Sequence, residues 1–323
     1  MGISADSIRE AHDDVARYGS IRAAARETGK TFGHYQRRMQ KKPPERIESP
    51  YSLDCANKIA RALFVSVREE PEPAPADNSR ILIISDLHAP YHHKDALAFL
   101  AALQEKHQFT RIVNIGDELD MHALSYHDHD PDLDSAGREL QIGRQVLWEL
   151  EKMFPRMDLL ESNHGSLLYR KGRTHGIPRA MLVEYRDVVF GEKMQGGTIH
   201  RPGSRGENWI WHPRLTLELP NRGKCLFVHQ ASSSSMRNVE QQGFSHTQGH
   251  YHTALNIMWH GTSDALSFGL TVGCLIDDAA YAYRYNKLTI KRPVIGCAAI
   301  IDGMPVTLPM VLAKGGRWTG FVP

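Results

Sequence analysis

From Arg80 onward the sequence alternates between short apolar runs and amphipathic stretches, and this rhythm limits the fold more than any other feature. "ILIIS" (81–85) reads as a buried strand, "KDALAFLAALQEK" (94–106) as an amphipathic helix and "RIVNIGD" (111–117) as a second strand. "SAGRELQIGRQVLWELEKMF" (135–154) follows as a longer helix and "MDLLES" (157–162) as a third strand. Strand–helix–strand units of this kind predict a mainly parallel sheet, with sites at the carboxyl ends of its strands. After about Gly206 the chain turns strand-rich, with "NWIWH", "RLTLEL", "KCLFVHQ", "ALNIMWHG" and "PVIGCAAII" separated by turn residues. A second sheet packed on the first is expected there.

What ends these strands is the second constraint. The first closes on Asp86 and His88, two positions apart and so expected on one side of the strand. The second closes on Gly116-Asp117, the third on Asn163-His164, a later one on His229, and "TQGHYH" delivers His250 and His252. A lone Asp-x-His is more often a turn residue beside a surface histidine, but five such strand ends together point to shared divalent cations. Neutral imidazole and carboxylate are a common mixed donor set for such ions. The four cysteines lie far apart without a C-x-x-C pair, which suggests neither a thiolate zinc site nor a disulfide framework.

The ordered set resembles the calcineurin-like metallophosphoesterases, whose motifs run D-x-H, G-D, G-N-H-[D/E], H and G-H-x-H. Here they stand as "DLH" (86–88), "GD" (116–117), "SNHG" (162–165), His229 and "GHYH" (249–252), and the resemblance covers roughly residues 80 to 310. It implies an α/β fold of four layers, two β-sheets flanked by helices. It also implies two divalent metal ions, with Mn²⁺ the first expectation and Fe, Zn, Ni or Mg the alternatives. Asp86, His88 and His252 would hold one ion, Asn163, His229 and His250 the other, and Asp117 would bridge them. His164 would be left as a catalytic residue beside the phosphate, suited to stabilise charge or protonate the leaving group.

Two departures stand out, Ser162 in place of the usual glycine and Gly165 in place of the usual acid. The acid commonly orients the catalytic histidine, and the acidic loop 125–134 is one source of a substitute. Other residues carry blander expectations. His92 and His93 are read as solvated loop residues before pocket residues, and His246 as a structural partner. Asp120 is read as a cap or a support to a ligand, and "SSSSM" (232–236) as a flexible loop. His122, His127 and His129 are weighed as further substrate contacts.

Residues 1–42 predict a separate helix-turn-helix-like domain. One helix covers roughly Ala5 to Tyr18, a second follows Ser20 as N-cap and stops at Gly29, and a third starts at Thr31. From Ser20 to Lys42 seven basic residues stand against the single acid Glu27. The DNA-binding expectation rests on Arg22, Lys30, Arg37, Arg38 and Lys41 meeting phosphates, with Thr31, His34 or Gln36 reaching base edges. A solvated basic appendage or an assembly hook is the competing reading, which leaves a homo-oligomer open. Residues 43–79, with Pro43, Pro44, Pro50 and the acidic "EEPEPAPADNS", read as a linker region, and 80–323 as the phosphoesterase domain. A net charge of only +2 excludes a polyelectrolyte binder, and without an apolar run of 18 residues a cytoplasmic protein with no membrane partner is expected.

The leading functional expectation is a DNA-directed phosphodiesterase or nuclease tethered to duplex by its first domain. That combination is similar, more loosely than the five motifs, to phosphoesterases encoded by bacteriophages. The alternative is a phosphatase or phosphodiesterase acting on a nucleotide-sized substrate, with the helices mediating assembly.

Overall fold

Ile81 to Ile84 are all fully buried, as a strand covered on both faces requires. In the computed structural model, which describes residues 5–41, 77–126, 132–190, 205–280 and 291–323, they form most of strand β1 (Arg80–Ile84). Contacts divide the chain into two units, Met1–Pro73 and Ala74–Pro323. The expected linker lies outside the described residues as far as residue 76.

The first unit is three helices, α1 (Ala5–Tyr18), α2 (Ile21–Thr28) and α3 (Phe32–Met39). Ser20 caps α2 by accepting from the Ala23 amide, Gly29 ends it at φ 69°, and Thr31 caps α3 by accepting from the His34 amide. The helices meet on a small core of Ala11, Ala24 and Tyr35. The Tyr35 hydroxyl donates to Asp14 at 2.7 Å, which lets the ring enter that core with its polar end bonded.

In the second unit β1 is followed by α4 (Ala96–His107), β2 (Arg111–Asn114), α5 (Ala136–Met153), β3 (Arg156–Leu160), α6 (Leu167–Thr174) and α7 (Tyr185–Phe190). Next come β4 (Asn208–His212), β5 (Leu215–Leu219), β6 (Gly223–Val228), α8 (Ser235–Gln242) and β7 (Ser245–Gln248). The chain closes with β8 (Asn256–Gly261), β9 (Leu266–Thr271), β10 (Gly296–Ile301) and β11 (Met304–Pro309). One sheet has the order β11-β10-β1-β2-β3-β4 and the other β5-β6-β7-β9-β8. Strands β1 to β4 run parallel, and β10 pairs antiparallel to β1 with Arg80 opposite Ile301.

Alternation along the central strands sorts side chains between layers. Ile81, Ile83, Val113 and Ile115 meet Leu217, Phe227, Phe268 and Leu270 between the sheets. Leu82 and Ile84 pack with Phe99, Leu100, Leu103, Leu147 and Leu150 of α4 and α5 on the other face of the first sheet. Helix α8 lies on the second sheet, where a Cβ at Gly269 would stand 2.7 Å from the Ser235 carbonyl carbon. The result is four layers, two sheets flanked by helices, as expected.

Three local expectations are corrected. "NWIWH" is β4 and joins the first sheet beside β3, and "PVIGCAAII" contains β10, which returns to pair with β1. The strand-rich region therefore supplies both sheets. The serine tract is not all loop: Ser234 caps α8 by accepting from the Arg237 amide, and Ser235 and Met236 open the helix. Among the described residues no helix is long and apolar enough to cross a membrane.

Candidate metal centre

Strands β1, β2 and β7 all end before the residues of interest. The expected strand spacing is therefore not what aims Asp86 and His88. Both have φ 51°, Asp117 has φ 55° and His250 φ 66°, so the backbone turns left-handed at four of the seven expected ligands. Aspartate and histidine are among the non-glycine residues that enter this region most readily, yet each such residue costs of order 1–3 kcal/mol. Lacing between loops holds them there. The Asp86 amide donates to the Gly116 carbonyl at 3.1 Å and the His88 amide to the Asp117 carbonyl at 2.9 Å. A Cβ on Gly249 would lie 2.1 Å from Ser85 Oγ, so glycine lets the β7 loop close against the β1 loop. There the His250 amide donates to Asp86 Oδ2 at 2.9 Å, and the Ser85 hydroxyl donates to the same oxygen.

All seven expected ligands come together. Donor atoms of Asp86, His88 and His252 lie within 4.8 Å of one another, as do those of Asp117, His229 and His250. His252 Nε2 is 3.0 Å from Asp86 Oδ1, and His88 Nε2 is 3.7 Å from it. Asp117 Oδ2 stands between the two groups, 3.2 Å from His229 Nε2 and 3.6 Å from His88 Nε2. Asn163 enters the second group with Oδ1 2.6 Å from His229 Nε2.

The outer bonds decide which imidazole nitrogens face inward. His88 Nδ1 donates to Asp120 Oδ1 at 2.6 Å, and His229 Nδ1 donates to the Ile115 carbonyl at 2.7 Å. In the neutral ring each then presents a lone pair at Nε2. For His229 that lone pair faces the Asn163 carbonyl oxygen, and two acceptors so close need a cation or a proton between them. The residues present therefore fit divalent cations, and the two histidine–aspartate clusters are compatible with a dinuclear centre.

Charge in the site points the same way. Burial would raise the carboxyl pKa of Asp86 and of Asp117, but the facing imidazoles, His252 and His88 for the first and His229, His164 and His88 for the second, hold both well below the usual range. Burial would lower the His229 imidazole, and Asp117 instead lifts it to about 9. Buried anions are here kept charged by converging positive charge, the role a metal ion takes over when it displaces protons.

His164 stands at the edge, with Nε2 4.0 Å from Asp117 Oδ2. Its Nδ1 donates to the backbone carbonyl of Asp120, and its amide donates to Asp117 Oδ1 at 3.1 Å. The orienting group is thus a main-chain oxygen, which no side-chain pattern announces. The two departures of the third motif also belong together, since Ser162 Oγ accepts from the Gly165 amide at 3.1 Å and closes the turn that carries Asn163 and His164. Gly165 faces Tyr185, 3.2 Å from where a Cβ would be.

The remaining histidines are sorted by their bonds. His93 is buried and donates from Nε2 to the Gly316 carbonyl, so it is neither solvated nor in the pocket. His122 is buried and lies 3.9 Å from Asp120 Oδ2. His246 is buried beside Asn238 and Gln248, as expected of a structural residue. His127 and His129 lie outside the described residues. In the first unit Arg22, Arg37 and Lys41 are exposed. Lys30 is 2.8 Å from Glu10 and 3.6 Å from Asp14, and Arg38 donates to Ser7 Oγ and the His34 carbonyl. Arg37 donates to the Gly33 carbonyl at 3.2 Å, so three of the five residues expected to meet phosphate are bonded within the unit, Lys30 and Arg38 by partners about 20 and 30 residues away in sequence.

No protein-family model and no curated protein sequence matches the chain. Solved structures do: YfcE, a phosphoesterase from E. coli, is similar at 12% identity and a TM-score of 0.36 over 75% of this chain and 97% of that one. Vps29 from Chaetomium thermophilum is similar at 9% identity and a TM-score of 0.38 over 76% and 94%.

Proposed function

We propose that the second unit is a dinuclear-metal-dependent phosphoesterase of the calcineurin-like kind that hydrolyses phosphodiesters. The observation that carries this is Asp117 Oδ2, set between the inward nitrogens of His88 and His229. Asp86, His88 and His252 would hold one ion and Asn163, His229 and His250 the other, with Asp117 within reach of both groups. When bound, the ions would supply Lewis acidity toward a phosphoryl group and a water. The protein does the rest. Asp120 and the Ile115 carbonyl fix the ligand tautomers, and the left-handed turns hold the donors converged before any ion arrives. His164, held at Nδ1 by Asp120, presents Nε2 to the leaving oxygen and in its protonated form donates to it. Mn²⁺, the ion the motif resemblance implies, is our first choice, with Fe, Zn, Ni or Mg as alternatives.

The test is hydrolysis of bis-p-nitrophenyl phosphate by the purified protein. Wild type should lose activity on chelation and regain it with Mn²⁺. Asp117→Asn, which weakens both ions at once, should fall by at least about 100-fold with less metal by elemental analysis. Undiminished turnover by that variant after exhaustive chelation would sink the dinuclear reading.

The second reading adds duplex DNA as the substrate, tethered by the first unit as a helix-turn-helix. Exposed Arg22, Arg37 and Lys41 beside the N-capped α3 favour it. The engagement of Lys30 and Arg38 leaves it with fewer phosphate contacts than their number in the sequence suggests.

A further inference from the structure

A cavity of about 730 Å³ opens beside the centre, with Asn163 and His229 of the metal side in its lining together with residues of α6, α7, the segment between them, the turn before α6 and Trp211 of β4. That volume suits a small organic group. Its wall is largely apolar and aromatic: Leu168, Tyr169, Leu182, Val183, Tyr185 and Trp211. Trp211 and Tyr185 pack edge to face with ring centres 6.0 Å apart, which fixes two of these rings in place. Val183 is 60% exposed and open to an incoming group, and Tyr169, 39% exposed, has the Arg179 guanidinium 5.4 Å from its ring centre.

Three arginines line the same space, and each is bonded to the protein. Arg170 donates to the Asn163 carbonyl at 2.6 Å and to Ser166 Oγ at 3.2 Å. Arg186 donates to the Trp209 carbonyl at 3.0 Å and to the Gly206 carbonyl, and Arg179 to Glu184 at 3.4 Å. Glu161 and Glu184 add negative charge to the lining. Arg170 and Arg186 are bonded to neutral oxygens and keep their charge, so they suit the phosphate end of an ester, while the apolar wall offers a phosphate nothing. An uncharged ring system covers that wall.

We propose, resting on the phosphoesterase reading, that this cavity receives one ester group of the substrate, and that this group is uncharged, aromatic and about the size of a nucleoside. The substrate class is then a small phosphoester carrying such a group rather than the interior of a nucleic-acid strand. Tyr169, Val183 and Trp211 set the preference, and none of them belongs to the metal centre.

Binding to the Mn²⁺-loaded full-length protein tests this apart from turnover. By calorimetry, 5′-AMP and 1-naphthyl phosphate should each bind roughly ten-fold tighter than ribose 5-phosphate or methyl phosphate, the scale expected for stacking one ring system on aromatic side chains. Val183→Trp, at an exposed lining position, should narrow the cavity and remove that advantage while leaving affinity for methyl phosphate unchanged. Trp211→Leu gives a second removal at another lining position, with thermal denaturation to show that it folds. Equal affinities in the wild type, or an advantage that survives Val183→Trp, would overturn the cavity assignment. If methyl p-nitrophenyl phosphate is still hydrolysed in a Mn²⁺-dependent way in that event, the phosphoesterase reading stands without the cavity. Absence of metal-dependent hydrolysis of every ester, with no binding of any phosphate, removes both.

Discussion

His164 and Asp120 show how one residue can serve two neighbours through different atoms. The Asp120 carboxylate stands behind His88, while its main-chain carbonyl holds His164. The two functions can therefore be separated. His164→Ala should slow hydrolysis of a diester by about 10²–10⁴ with metal content unchanged by elemental analysis. Asp120→Asn keeps the carbonyl and loses the anion, so it should weaken metal affinity by about 10–100-fold while activity at saturating Mn²⁺ largely returns. A His164→Ala protein that lost its metal would make His164 a ligand instead. The residues that converge were legible because aspartate, asparagine and histidine are themselves the chemistry. The hold on His164 was not, because every residue has a carbonyl and only the fold selects which one is used. Lys30 and Arg38 show a related limit: a basic side chain in the sequence carries no mark of a partner 20 or 30 residues away.

Strand β7 shows a similar limit at the level of the element. Its four residues, Ser245–Gln248, are polar by type and all buried, so no hydropathy pattern marks it as a central strand. It is nevertheless flanked on both sides, by β6 and β9, and it delivers the loop that carries His250 and His252. Polar side chains are tolerated there because they bond to one another: Asn238 of α8 donates to Gln248 Oε1 at 2.8 Å and lies 3.1 Å from His246 Nε2. Burial pushes the His246 imidazole down to about 4 from an ordinary value near 6.5. The ring is neutral in the fold, so its contribution is fully present above the unfolded value and lost as pH falls from about 6.5 to about 4. That window corresponds to about 3 kcal/mol. Urea unfolding at pH 7.5 and 4.5 should show a smaller drop for His246→Gln than for wild type, and equal drops would mean that another group sets the acid sensitivity. Strands rich in Ile and Leu, such as β1, were readable for the opposite reason, though not the sheet that β4 and β10 would join, since a strand's partner is a long-range choice.

On the scale of the whole molecule, all candidate site residues lie between Asp86 and His252, and the basic helices belong to a different unit. Function should divide accordingly. Reversing Arg22 and Arg37 to Glu in the full-length protein should leave hydrolysis of bis-p-nitrophenyl phosphate unchanged. If the first unit holds duplex, the same change should abolish the steep salt dependence of binding that counterion release produces. Duplex binding that is identical in the variant and the wild type would remove the tethering reading. The pairing of β10 with β1 reaches further than architecture. Arg80 meets Ile301 across roughly 220 residues, so the centre of the first sheet is a contact of very long sequence separation, which slows folding. During synthesis β1 leaves the ribosome early and has no neighbour on its β10 side until nearly the whole chain has followed. The Asp86 loop at its end is therefore among the first parts of the centre to be made and among the last to be locked. A nascent chain stalled before Gly296 would carry every proposed ligand and still present an open strand edge, a natural foothold for a chaperone.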